Sequence, residues 1–241
     1  MADRSPIWLF DLDNTLHDAG FAIFPTISEN MNGYISVLLG ENGEPADSVT
    51  VNAVRQAYWR RYGATLLGLM KHHNVKAQEF LHAAHRFEHL PSMIRAERGL
   101  ARLLCQLPGR KILLTNAPKQ YSSDVIRHLG LHRHFAQHIP IEDMRVHGKL
   151  QPKPSAQFLR KLLAKLGVQA HRCILVEDSI PNLRAAKRVG MRTALVTRYS
   201  APLSPAQKIS AACVDVRVNS VFKLSQRYRD LQCESVVQSR Q

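Results

Sequence analysis

Short apolar runs that stop abruptly at polar residues recur along the chain. Residues 6–10 stop at Asp11-Leu12-Asp13-Asn14-Thr15, residues 111–114 at Thr115-Asn116, and residues 173–176 at Glu177-Asp178-Ser179. Residues 193–196 and 213–218 continue the series. Runs this short, without polar alternation, predict strands buried on both faces, as in a parallel sheet. Between them the apolar positions take helical spacing. Residues 95–107 carry Leu100, Leu103, Leu104 and Leu107 before Pro108-Gly109, and residues 120–129 precede Gly130. Phe158, Leu159, Leu162, Leu163 and Leu166 form one stripe before Gly167, and residues 180–189 run up to Gly190. A glycine just past the last turn suits the left-handed closing position, and Pro154 predicts the first turn of its helix. Strand and helix alternate, so the fold class is α/β: a Rossmann-like parallel sheet with helices on both faces.

Residues 18–90 break the alternation. Ile27, Met31, Ile35, Leu38 and Leu39 make one helical stripe, followed by the turn signal of residues 40–45. Val51, Val54 and Tyr58 make another, then residues 65–73 and residues 77–89. Four helices inserted after the first strand predict an all-α subdomain. The plan is a core of residues 1–17 and 91–224, a helical cap of residues 18–90, and a polar tail of residues 225–241.

Composition narrows the class. Of 241 residues, 45% are hydrophobic and 22% charged, ordinary globular values that argue against wholesale disorder, collagen or coiled coil. No apolar run approaches the ~18 residues that span a bilayer. The first apolar stretch is too short for a signal peptide. The expectation is a soluble cytoplasmic protein with no membrane partner. Thirty-three Lys and Arg against nineteen Asp and Glu leave +14, a balance that suits a polyanion or an anionic substrate. The basic residues are scattered, without the block of about five or six like charges that marks a binding tail. A solvated surface with no specific nucleic-acid partner is therefore expected. Cys105, Cys173, Cys213 and Cys233 form no CxxC pair and read as reduced thiols. The groups His82, His85, His89 and His132, His134, His138 lack a cysteine or carboxylate at ligand spacing and read as polar faces, not zinc sites.

In open α/β sheets, ligands bind beyond the carboxyl ends of the strands. The polar residues that end the runs would meet there: Asp11, Asp13 and Thr15, then Thr115 and Asn116, then Glu177 and Asp178. Lys153 is the nearest basic residue able to join them. Carboxylates crowded in this way need a cation, and oxygen-only ligation suits Mg²⁺. A hydroxyl, an amide and a lysine beside Mg²⁺ make a phosphate site.

In order, Asp11-x-Asp13-x-Thr15, Thr115, Lys153 and Glu177-Asp178 resemble the four motifs of haloacid dehalogenase-superfamily phosphatases. The intervals of 100, 38 and 25 residues match members whose helical cap follows the first motif. In one departure, Asn182 stands where many members carry a second acid, and Glu177 is read as supplying it. The resemblance implies that Asp11 attacks phosphorus to give an aspartyl-phosphate. Asp13 protonates the leaving oxygen and then activates water. Mg²⁺ is held by Asp11, the Asp13 backbone carbonyl and Asp178, with Glu177 reaching it directly or through water. Thr115, Asn116 and Lys153 neutralise the phosphoryl oxygens. A dehalogenase needs no proton donor at Asp13, so the phosphatases are the nearer match.

Residues 58–69, Tyr-Trp-Arg-Arg-Tyr-Gly-Ala-Thr-Leu-Leu-Gly-Leu, resemble the cap signature of the pyrimidine 5′-nucleotidase group, and Asn14 replaces a common glycine in that group's style. Tyr58, Arg61, Tyr62 and Thr65 are then the specificity residues. The reading is a Mg²⁺-dependent phosphatase of small phosphate monoesters, UMP, CMP or their deoxy forms, acting as a monomer or weak dimer. Phosphoglycolate or a sugar phosphate is the alternative substrate. A basic nucleic-acid-binding protein on a phosphatase scaffold is the alternative of another class.

Overall fold

A computed structural model describes residues 5–200 and 210–231. Six parallel strands form one sheet in the order β3-β2-β1-β6-β7-β8. They are β1 (Ile7–Phe10), β2 (Arg110–Leu114), β3 (Gln137–Ile139), β6 (Cys173–Glu177), β7 (Arg192–Val196) and β8 (Val216–Val218). A two-residue antiparallel ribbon, β4 (Arg145–Val146) with β5 (Lys149–Leu150), lies outside that sheet. All four residues of β1 and all five of β6 are buried, as unalternating apolar runs require. Full burial of each such side chain is worth roughly 1.5–3 kcal/mol.

The core helices are α6 (Leu100–Gln106), α7 (Lys119–His128), α8 (Ala156–Leu166) and α9 (Ile180–Arg188). Against one face of the sheet, Leu9, Ile112, Leu175 and Leu195 pack with Phe158 and Leu162 of α8 and Leu183 of α9. On the other, Trp8 stacks on Phe10 at 6.1 Å, and Phe135 meets Phe10 edge-on. Two helix starts differ from the sequence reading. Gly99, at φ +90°, delays α6 to Leu100. Ser155, whose hydroxyl accepts from the Phe158 amide, caps α8, so Pro154 precedes that helix instead of opening it.

Two compact units divide the chain: residues 5–20 with the described residues from Ile94 on, and Phe21–Met93. The sequence plan drew these borders about three residues earlier at each end. Residues 18–20 belong with the core because the Asp18 amide donates to the Arg95 carbonyl and the Gly20 amide to the Asn14 side chain. The helical unit consists of α1 (Ile23–Leu38), α2 (Ser48–Tyr62), α3 (Thr65–His72), α4 (Ala77–Ala84) and the single turn α5 (Leu90–Met93). The fourth helix is shorter than the expected 77–89, since Asn30 donates to the Ala84 and Arg86 carbonyls and satisfies that end. Tyr34 of α1 meets Phe80 of α4 edge-on at 5.3 Å. Gly63, left-handed at φ +79°, closes α2. Gly68 of α3 admits the Tyr58 ring, which a Cβ would meet at 2.2 Å.

The expected polar tail begins later than residue 225. Tyr228 packs on Trp8 at 5.6 Å and Leu231 is 1% exposed, so these residues belong to the core. The rest of that expectation, residues 232–241, lies outside the described residues. Among the described residues no helix is long and apolar enough to cross a membrane.

Candidate active site

The register of the three central strands assembles the site. Phe10 pairs with Leu113 on one side and Val176 on the other, and the Asp11 amide continues the ladder by donating to the Val176 carbonyl. Asp11, Thr115 and Glu177 therefore leave the sheet at one edge. After β1 the chain turns sharply: the Leu16 amide donates to the Leu12 carbonyl, with Leu12 and Leu16 buried as anchors. Asn14 stands in the left-handed region at φ +58°, which glycine and asparagine tolerate better than other residues. This explains how asparagine replaces glycine in the first motif.

Lys153 sits at the centre, 4% exposed. Its ammonium donates to Asp11 Oδ1 at 2.7 Å, Glu177 Oε2 at 2.7 Å and the Leu114 carbonyl at 2.9 Å. An ammonium has three donors, and here each has an acceptor. Burial disfavours its charge, but Asp11 and Glu177 outweigh burial and push its pKa above the ordinary lysine range. Burial, then the Glu177 charge, lifts Asp11 to about 7. Burial, then Asp11, lifts Asp178 to about 6, and burial raises Glu177.

One expected contact takes another form. The Asn116 side chain is engaged with the backbone of Lys153: its Nδ2 donates to the carbonyl at 2.9 Å and its Oδ1 accepts from the amide at 3.0 Å. It ties the loop after β2 to the loop that carries the lysine. Glu177 gives Oε2 to Lys153. Thr115 Oγ1 accepts from the Ala117 amide, and Thr15 Oγ1 lies 3.4 Å from Asp11 Oδ2.

Asp11, Glu177 and Asp178 bring carboxylate oxygens within 4.8 Å of one another, the metal-competent group found among the described residues. Neither histidine group joins one. An all-oxygen, anionic set whose members resist ionisation together fits a hard divalent cation such as Mg²⁺. Asp178 is also held by the Ser200 hydroxyl at 3.1 Å.

Asp13 has partners that its motif does not announce: Oδ1 accepts from the Tyr121 hydroxyl at 2.6 Å and lies 2.9 Å from His17 Nε2. His17 lies four residues after Asp13, a spacing visible in the sequence. Tyr121 is signalled only by the contact itself.

In the helical unit, Tyr58 and Tyr62 stand one turn apart. Their hydroxyls already bond His73 Nε2 at 2.7 Å and His72 Nε2 at 2.6 Å. Arg61 lies over the Tyr62 ring at 5.5 Å. Thr65 lies apart from that group, in a cavity of about 280 Å³ with Asn52, Arg55, Gln56 and Trp59.

The family model for haloacid dehalogenase-like hydrolases matches residues 7–190, more than half of the chain. The chain belongs to that family. Solved structures agree at the level of fold. A haloacid dehalogenase-like protein from Agrobacterium tumefaciens is 18% identical with a TM-score of 0.61, over 95% of this chain and 99% of its own. A haloacid dehalogenase-superfamily phosphatase from Thermococcus onnurineus is 18% identical with a TM-score of 0.61, over 93% and 97%. A 2-haloacid dehalogenase from Pseudomonas syringae is 16% identical with a TM-score of 0.58, over 93% and 98%. This haloacid dehalogenase-like hydrolase thus shares its fold with proteins named for two chemistries, and the site has to separate them.

Proposed function

We propose that the protein is a Mg²⁺-dependent phosphomonoesterase acting through an aspartyl-phosphate on Asp11, with pyrimidine nucleoside 5′-monophosphates as substrates. The observation that carries phosphoryl transfer is the second carboxylate, Asp13, placed beside Asp11 and held by hydrogen bonds. Halide leaves without a proton, whereas the alkoxide of a phosphate ester needs one. Asp11 attacks phosphorus in line, and Asp13 protonates the departing oxygen and later takes a proton from the attacking water. Asp11, the Asp13 carbonyl and Asp178, with Glu177 directly or through water, would hold Mg²⁺, whose chemistry is to neutralise developing charge on the phosphoryl oxygens. Thr115 offers a hydroxyl to those oxygens. Lys153 supplies charge rather than a spare N–H, and Asn116 and Glu177 hold it in place.

The base preference is assigned to the helical unit: Tyr58, Arg61, Tyr62 and Thr65. Both tyrosine hydroxyls are engaged by histidines, the Tyr58 ring stacks on His72 and the Thr65 hydroxyl donates to the Arg55 carbonyl, so the Arg61 guanidinium is the group assigned to hydrogen-bond the base. A polar group left unpaired by the wrong base costs about 1–3 kcal/mol. UMP and CMP should therefore exceed AMP and GMP in kcat/KM by at least ~10-fold. A panel of nucleotides, phosphoglycolate and sugar phosphates tests this, with Asp11→Asn as the control that abolishes turnover while the fold persists. Purine nucleotides or a sugar phosphate in the lead would overturn the base preference. Full activity in Asp11→Asn would overturn the mechanism.

A further inference from the structure

Two donors converge on one oxygen of Asp13, from separate elements. His17 belongs to the turn after β1, where it forms a parallel bridge with Asp13, and Tyr121 belongs to α7. Both are buried, His17 at 0% and Tyr121 at 2% exposure. A buried imidazole and phenol need partners inside the protein, and both use Asp13 Oδ1. His17 Nδ1 meets no hydrogen-bond partner among the described residues. The tautomer that orphans no N–H thus carries hydrogen on Nε2 and donates to Oδ1.

We propose that His17 and Tyr121 are positioning residues that clamp the Asp13 carboxyl through Oδ1 and so aim it for its proton transfers. The clamp stops the carboxyl rotating about its side-chain bonds, and a misplacement of about 1 Å costs on the order of 10²-fold in rate. The inference rests on the phosphatase reading. As the ester P–O bond breaks and an Asp11 oxygen bonds to phosphorus, the Asp13 proton passes to the departing alkoxide. In the second half, water attacks phosphorus, the Asp11–P bond breaks, and the proton released by water returns to Asp13.

The test compares leaving groups. p-Nitrophenolate departs without a proton, while the alkyl esters UMP and phosphoglycolate need one. For Tyr121→Phe and His17→Ala, kcat/KM on the alkyl ester should fall about 10- to 100-fold. The ratio of alkyl to p-nitrophenyl kcat/KM, which reports the first half-reaction alone, should fall by at least ~10-fold. His17→Gln, whose amide nitrogen reaches about as far as Nε2, should recover much of that loss. If His17→Ala does not fold, Tyr121→Phe, which removes only the hydroxyl, carries the test. A parallel fall in kcat/KM on both esters, no fall on either, or glutamine no better than alanine would overturn the clamp while leaving a working phosphatase. A wild-type protein inactive on every monoester would overturn the phosphatase reading itself, and the clamp with it.

Discussion

Replacing Lys153 by methionine keeps the length of the side chain but removes the charge that Asp11 and Glu177 share. Breaking a buried pair from one side leaves uncompensated charge, at a cost of about 3–5 kcal/mol. Lys153→Met should lose that much stability in urea denaturation at pH 8, along with activity. At pH 5, where carboxyls with raised pKa hold protons, the loss should be smaller; equal losses would contradict the charge argument. The carboxylates, Thr115 and Lys153 could be read from the sequence because each sits at the end of an apolar run or before a helix. Asn116 as a brace for Lys153, and Tyr121 as a donor to Asp13, could not. Those roles depend on where a side chain points after the strands have paired, which residue type and spacing do not encode.

Among the elements, Gly109 carries a heavier constraint than other left-handed glycines. It precedes β2 at φ +78°, and a Cβ there would lie 2.1 Å from the Pro6 carbonyl oxygen. The Arg110 amide donates to that carbonyl, so the close approach starts the pairing of β2 with β1. Gly130, at φ +70°, has nothing within 4 Å of its would-be Cβ. Gly130→Ala should therefore cost only the backbone strain, about 1–2 kcal/mol. Gly109→Ala should cost at least about 3 kcal/mol, because the clash with backbone adds to that strain. Thermal or urea unfolding of the two variants checks the order. The buried strands were legible because their residues are uniformly apolar. β3 was not: as a three-residue edge strand reading Gln-His-Ile, it lacks both length and apolarity. The packing of Tyr228 on Trp8 was likewise hidden, since the flanking residues are polar.

For the whole molecule, the crowded carboxyls make stability depend on pH and on divalent cations together. Asp11, at about 7, and Asp178, at about 6, both lie above the ordinary 3.8. The folded state thus binds protons more tightly than the unfolded chain. The stability this confers is present at low pH and is lost as pH rises through those values. A cation that takes the place of the protons should restore it. Mg²⁺ should raise Tm little at pH 5 and most above pH 7, and Asp178→Asn should shrink the gain; an equal gain at both pH values would contradict the assignment. The placement of β1 between β2 and β6 also sets the order in which the chain can fold on the ribosome. All of the helical unit's chain is available once Met93 has emerged. The strand that carries Asp11 is synthesised before it, yet pairs with residues that follow much later, Ile7 with Cys173. Until Cys173–Glu177 emerges, the apolar Ile-Trp-Leu-Phe run must wait with one edge unpaired, exposing on the nascent chain the kind of surface that chaperones shield.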